Sequence, residues 1–184
     1  AIATFLTGGE VISLSISANQ GGVVWSRGGN RFITLTAGYL GSLMIGIGLL
    51  IAATRTKADR VIMGACGVMT LIIAGFYIRD FFALGFAIGT GVAMLAMARF
   101  LGHAANDLAL RVIGLASMIY VPYDIFSDTI ARSNLRSDAR MLAEEFGGTT
   151  MMWGGLWLVI SLIVIGCCLR YGLGRDSNLQ IRRP

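Results

Sequence analysis

The sequence predicts an all-α polytopic membrane protein: about five spanning helices after a truncated first helix, with one short β-hairpin. Three observations carry this. Of the 184 residues, 55% are hydrophobic, and the mean hydropathy is +0.73. Only 14% are charged, against roughly 25% in a soluble globular domain, too few to cover a surface in water. Long charge-free apolar runs recur along the chain. Glycine is abundant at 25 residues, but with only 2 Pro this is neither a collagen-like nor a disordered composition, because such apolar content favours ordering. Three Cys in apolar runs do not make a disulfide scaffold.

The chain opens Ala1-Ile2-Ala3-Thr4-Phe5-Leu6-Thr7 before Gly8-Gly9. Without a basic n-region this does not read as a signal peptide. It reads as the last two turns of a helix stopped by the glycines, its beginning lying upstream. Over 10–32 the pattern changes. Val11, Ser13, Ser15 and Ser17 alternate with Ile12, Leu14 and Ile16, a period of two that marks a strand. Asn19-Gln20-Gly21-Gly22 is turn chemistry, and Val23-Val24-Trp25-Ser26 is a second β-prone run. The hairpin must lie in water, at the interface or against protein, because lipid leaves strand edges unsatisfied.

The spans follow. Ile33–Ala53 is 21 residues without a charge, about the length that crosses a bilayer core. Val61–Ile78 and Phe81–Ala98 are 18 each, separated by Arg79-Asp80. That dipeptide reads as a tight helical hairpin, with an in-membrane pair as the alternative. The fourth span, 108–126, carries Arg111 near one end and Asp124 near the other. Ser137-Asp138 looks like the cap and first-turn acid of a short helix over Ala139–Phe146, ended by Gly147-Gly148. The last charge-free run is 146–169. The plan is one membrane domain over 1–169 and a basic tail over 170–184. Lys and Arg in the short connections are distributed eight on the tail's side and six on the other, a small bias that puts the tail in the cytoplasm.

The net charge of +5 fits the same reading. No interleaved basic and aromatic surface suits a nucleic acid, and the basic tail beside the last span points to anionic lipid headgroups of the bilayer. Gly38, Gly41, Gly46 and Gly48 in one span, and Gly85-x-x-x-Gly89 in another, read as small residues for close helix packing. His103, the one histidine, reads as a solvated loop residue. Cys167-Cys168 at the end of the last span is a candidate acylation point. With one His and no Cys-x-x-Cys, the chain holds no complete zinc site. It shows no Ser/His/Asp set and no phosphate loop.

Ionisable groups inside a span are functional candidates because each is costly in lipid. Asp124 sits in Tyr120-Val121-Pro122-Tyr123-Asp124-Ile125-Phe126-Ser127-Asp128. Asp128 follows by one turn, so both carboxylates share a helix face, and Pro122 frees a carbonyl nearby. The plainer reading is that the two acids mark the end of a span at the water interface.

Several blocks together resemble one family. They are Leu6-Thr7-Gly8-Gly9, the strand pair with Gly21-Gly22, and Ala37-Gly38-Tyr39-Leu40-Gly41-Ser42. To these are added Tyr123-Asp124-Ile125 with Asp128, Ser137-Asp138-Ala139, and Trp153-Gly154 followed by Trp157. In this order, from residue 1 to about 165, the chain resembles the B-like branch of peptidase family M50, site-2-protease-like membrane zinc metallopeptidases. The resemblance implies a zinc cofactor and a membrane-protein or peptide substrate. It implies a His-Glu-x-x-His helix immediately before Ala1, with Asp124 as the third zinc ligand and Asp128 as a weaker, orienting acid. That motif is not among these residues, so the resemblance implies an inactive fragment. The alternative is a non-catalytic multi-pass protein: a pseudoprotease, scaffold or permease. The family's better-known Asn-x-x-Pro-x-x-x-x-Asp-Gly pattern is not met either, since Asp124 follows Pro122 by two residues and no Gly follows it. If a substrate binds as an extended segment, the hairpin over 11–26 offers it an edge for strand addition.

Overall fold

The computed structural model describes residues 1–17, 21–131 and 137–172. The expected turn at Asn19-Gln20 and the tail beyond Gly172 lie outside these. Along the described chain run α1 (Ile2–Leu6), β1 (Glu10–Ser17), β2 (Gly21–Arg27), α2 (Arg31–Arg55), α3 (Asp59–Tyr77), α4 (Phe81–Phe100) and α5 (His103–Phe126). A π-helical turn (Ser127–Ala131), α6 (Asp138–Phe146) and α7 (Thr150–Gly172) complete it. Among the described residues, five helices are long and apolar enough to cross a membrane: Arg31–Arg55, Asp59–Tyr77, Phe81–Phe100, His103–Ala131 and Thr150–Tyr171. Their large outward side chains, such as Phe76, Phe81 and Ile163, are what lipid would cover. The chain is thus an all-α polytopic protein with one two-stranded hairpin, as its sequence predicts. The fourth span begins earlier than the hydropathy suggests, since His103 opens α5.

The chain packs as two compact units, the first made of Ala1–Thr34 with Ala58–Leu108. In it, α1 ends at Thr7 and turns through Gly8 at φ +78, a left-handed conformation that glycine adopts without steric cost. Gly9 then passes so close to Gly28 that a Cβ there would lie 2.8 Å from the Gly28 carbonyl carbon and 2.7 Å from Thr4 Cγ2. The Thr7 hydroxyl donates to the Ala3 carbonyl at 2.9 Å and accepts from the Asn30 N–H at 2.9 Å. The Asn30 side chain accepts from the Ile33 N–H at 3.1 Å, capping α2.

Strands β1 and β2 pair antiparallel, from Glu10 opposite Arg27 to Ser17 opposite Gly21, with a bulge between Val11 and Ser13. Beyond β1, Leu14 makes a parallel bridge to Ile78, in the connection between α3 and α4. Leu14 also packs on the apolar cluster of Ala74, Ile78, Ala83 and Ala87. Arg79-Asp80 forms the hairpin turn: Asp80 caps α4 by accepting from the Ala83 N–H at 2.9 Å. Helices α3 and α4 approach closely at Gly67 and Gly91, where a Cβ on Gly67 would lie 3.0 Å from the Gly91 carbonyl oxygen. Gly85 and Gly89, expected to serve this purpose, have open space at their Cβ positions. The α4 C-terminus is held by Asn106, fully buried. Its amide donates to the carbonyls of Met97 (3.1 Å), Leu101 (3.4 Å) and Gly102 (3.0 Å).

The second unit comprises Leu35–Lys57 and the residues from Ala109 onward. Leu35, Tyr39, Leu43, Gly46, Leu50 and Ala53 form the buried stripe of α2, spaced at a helical period. Gly46 and Gly114 let the two backbones touch: a Cβ on Gly46 would lie 2.8 Å from Ser117 Cβ and 3.0 Å from the Gly114 carbonyl oxygen. Farther along, Arg55 donates to the Tyr171 carbonyl at 2.8 Å, joining the C-terminal ends of α2 and α7. Ser137 caps α6 by accepting from the Arg140 N–H at 3.3 Å, and Gly147 and Gly148 leave it at φ +84 and +86. The Trp153 indole donates to the Gly147 carbonyl at 2.9 Å, fixing the turn into α7.

Candidate functional site

The site residues gather in the second unit, where α5 ends. Pro122 lies inside α5 and has no N–H to give the Met118 carbonyl. One turn later the helix widens into the π turn Ser127–Ala131, a geometry often associated with functional positions. Asp124 is half-buried on the last turn of α5. Asp128, also half-buried, stands in the π turn.

Across from them α2 presents Gly38 and Tyr39. Tyr39 is only 3% exposed, so its hydroxyl requires a partner. It donates to Asp128 Oδ2 at 3.0 Å, bridging residues 89 apart in sequence. A hydrogen bond to a charged acceptor contributes about 1.5–3 kcal/mol. Gly38 has a different task. The Asp138 carboxylate occupies the place where a Cβ on residue 38 would sit, so only glycine admits it. Ser137 and Asp138 both lie within electrostatic reach of the Tyr39 hydroxyl. One dipeptide of α2 therefore meets acids from both ends of the stretch 128–138. Asp138 is in the first turn of α6, where the helix dipole favours a negative charge. The Arg140–Glu144 pair at 3.0 Å is exposed and contributes little.

Beside the π turn, Thr129 packs directly on Gly154 of α7. A shallow apolar hollow there is lined by Ile125, Phe126, Ile130, Met151, Gly155 and Leu158 with those two residues. Thr129 Oγ1 and the Trp157 indole nitrogen are buried without a hydrogen-bond partner. Trp153 and Trp157 stack at 6.1 Å between ring centroids.

Among the described residues no three His, Cys, Asp or Glu side chains come together as a metal-holding group. The carboxylates of Asp124 and Asp128 have the oxygen-donor chemistry of individual zinc ligands, but they do not make a full set. His103 is exposed at the start of α5 in the first unit. Cys66, Cys167 and Cys168 are free thiols.

Reading the sequence singled out Asp124 and Asp128, but it took Gly38 only as a packing glycine and Asp138 only as a first-turn acid, and gave Tyr39 no role. All three stand in the blocks Ala37–Ser42 and Ser137–Ala139 that carry the family resemblance. That was the available signal, since no local spacing links residue 39 to residue 128.

A family model described as Peptidase M50B-like matches residues 1–168. No curated protein and no solved structure matches the chain.

Proposed function

Because the chain belongs to the Peptidase M50B-like family, we propose that it is the membrane part of a site-2-protease-like zinc metallopeptidase acting on a membrane protein or peptide. The observation that carries this reading is the acid pair at the end of a span-length helix: Asp124 on α5, with Asp128 one turn on and bound to Tyr39. Carboxylates in such a helix are costly in lipid and point to a site. In this reading Asp124 is the zinc ligand and Asp128 the orienting acid. Zinc, when bound, polarises a water and the scissile carbonyl. Asp124 contributes a negatively charged oxygen to that centre, and Tyr39 keeps Asp128 in one orientation.

The hairpin serves the substrate. One side of β1 pairs with β2, and its other side is bridged at Leu14 by Ile78. The outer edge of β2 is therefore the one to which an extended segment adds, through backbone hydrogen bonds.

A catalytic zinc needs three protein ligands and an open position, so these 184 residues alone are expected to hydrolyse nothing. The competing reading is a non-catalytic pseudoprotease, scaffold or permease. Coding sequence upstream of Ala1 decides between them: His-Glu-x-x-His supports the peptidase, and a start codon at that point supports the alternative. The biochemical test uses the intact protein. Asp124→Asn is expected to lose bound zinc and cleavage of a membrane-spanning reporter while still inserting in the membrane. A neutral amide is a poorer ligand, and removing the charge lowers the cost of insertion. Asp128→Asn is expected to lose less, and His103→Ala nothing. If Asp124→Asn keeps zinc and cleavage while Asp128→Asn loses both, the ligand assignment is reversed.

A further inference from the structure

We propose that the joined ends of α2 and α7 seat the phosphate of an anionic phospholipid on Arg55 and Arg170, a reading independent of the peptidase assignment. Depth is the first observation. Residues 33–54 and 146–169 carry no charge, and each run is followed at once by an arginine, Arg55 on α2 and Arg170 on α7. Both helices are long and apolar enough to cross a membrane, so the first cation past each run stands at the level of the lipid headgroups. Both arginines are exposed there.

Contact is the second. Arg55 donates through Nη2 to the Tyr171 carbonyl at 2.8 Å. The central carbon of the Arg170 guanidinium lies 5.8 Å from the centre of the Tyr171 ring. Cations from two helices are thus held against the backbone and the ring of one residue. The bond to Tyr171 uses one donor of a guanidinium fork that has several, and a guanidinium over a ring keeps its N–H edge for an anion. Charge is the third observation. Helix α5 runs antiparallel to α2, with Gly114 against Leu50 and Asp128 bonded to Tyr39. Lys57 and Arg111 therefore share the end of the second unit that holds Arg55 and Arg170. The described acids of that unit are Asp124, Asp128, Asp138, Glu144 and Glu145, and they belong to the other end, from the last turn of α5 to the end of α6. The complement of such an end, at that depth, is an anionic headgroup, and a phosphate is the group that two guanidiniums bind through paired N–H bonds.

The test counts lipid bound to the intact protein, by native mass spectrometry from a neutral detergent. Phosphatidylglycerol and phosphatidylcholine are titrated separately. Wild type is expected to prefer phosphatidylglycerol. Arg55→Gln and Arg170→Gln are each expected to reduce that preference by about 5-fold, and the double variant by more. Arg140→Gln, on α6 at the other end, is expected to leave it unchanged. Soluble glycerol phosphate at the same concentration is not expected to displace the lipid. Arg170 makes no bond between helices, so its variant carries the comparison should Arg55→Gln fail to fold. Equal binding of the two lipids by wild type would overturn the proposal, as would an unchanged preference in Arg170→Gln. A loss of thermal stability in Arg55→Gln with the lipid preference intact would reduce that residue to a helix tie and overturn its part in the site. An equal effect of Arg140→Gln would show attraction by overall charge rather than a site. Displacement by glycerol phosphate would make the ligand a free phosphate rather than a lipid.

Discussion

Gly114→Ala is expected to strain the Tyr39–Asp128 bond from two helical turns away. A Cβ at residue 114 would lie 2.9 Å from the Gly46 carbonyl oxygen and 3.0 Å from the Leu50 nitrogen. Both are backbone atoms of α2 and cannot rotate aside as a side-chain tip would. An ordinary carbon–oxygen contact of roughly 3.4 Å requires α2 and α5 to part by about 0.5 Å. Gly46 lies about 10 Å along α2 from Tyr39. A rigid separation of that size stretches the 3.0 Å bond to about 3.5 Å, the outer limit of hydrogen bonding. Overpacking of this kind costs about 1–3 kcal/mol, and the weakened charged bond adds about 1 kcal/mol. For a chain of this length that corresponds to a fall in Tm of roughly 5–10 °C. The assay is thermal unfolding of the purified protein in detergent, with Gly48→Ala as the matched control. At Gly48 a Cβ meets open space, and alanine's helix propensity favours the variant by up to about 1 kcal/mol. If Gly114→Ala melts as high as Gly48→Ala, the α2–α5 contact is not the tight crossing described.

Other positions give sharp contrasts. Each carbonyl served by Asn106 has a second donor: the Leu101 N–H for Met97, Arg60 for Leu101, and the Asn106 N–H itself for Gly102. Asn106→Ala therefore orphans none of them and should cost only about 1–2 kcal/mol in the same melting assay. Asn106→Asp sets a carboxylate against three carbonyl oxygens and should cost about 3–5 kcal/mol, a difference that would vanish if the amide were not buried there. Asp80→Ala removes the α4 cap and should cost about 1 kcal/mol, whereas Asp80→Asn should cost much less. Gly147→Ala forces a β-carbon into φ +84 and ψ 176 and should destabilise by about 1–3 kcal/mol, visible as faster proteolysis between α6 and α7.

Local chemistry made much of this fold legible in the sequence. Charge-free runs marked the spans, period two marked β1, Ser137 announced the cap of α6, and Gly147-Gly148 announced its end. Each is a short-range rule that neighbouring residues decide among themselves. The choice of packing glycines was not of that kind. Gly85 and Gly89 have the spacing of a packing pair, yet Gly67 and Gly91 are the ones in contact, because the rotation of α4 is set by Ala74, Ala83 and Ala87 closing on Ile78. The bulge between Val11 and Ser13 likewise breaks an alternation that looked continuous, burying Val11. At the site, Asp124 and Asp128 stood out because acids are rare in apolar helices. Tyr39 did not, because an aromatic residue in a span is ordinary until its partner is known. The π turn has no composition of its own, and only Pro122 upstream hints that the helix would loosen there.

The ties at the foot of the hairpin have a consequence for how freely that segment can vary. Thr7 and Asn30 are hydrogen-bonded to each other though 23 residues apart. Thr7 also closes the last turn of α1, and Asn30 opens α2. The strands therefore leave and re-enter the chain through one sealed neck, and most of the entropy of loop closure is charged to the neck rather than to the ribbon. Residues can be added to or removed from the outer end of the ribbon in facing pairs without reaching α1 or α2, because equal changes on the two strands keep the register set at the neck, whereas a change on one strand alone would slip it. The hairpin is in this sense a cassette: its reach and the side chains on its β2 edge can be exchanged while the helices on either side of the neck keep their ends.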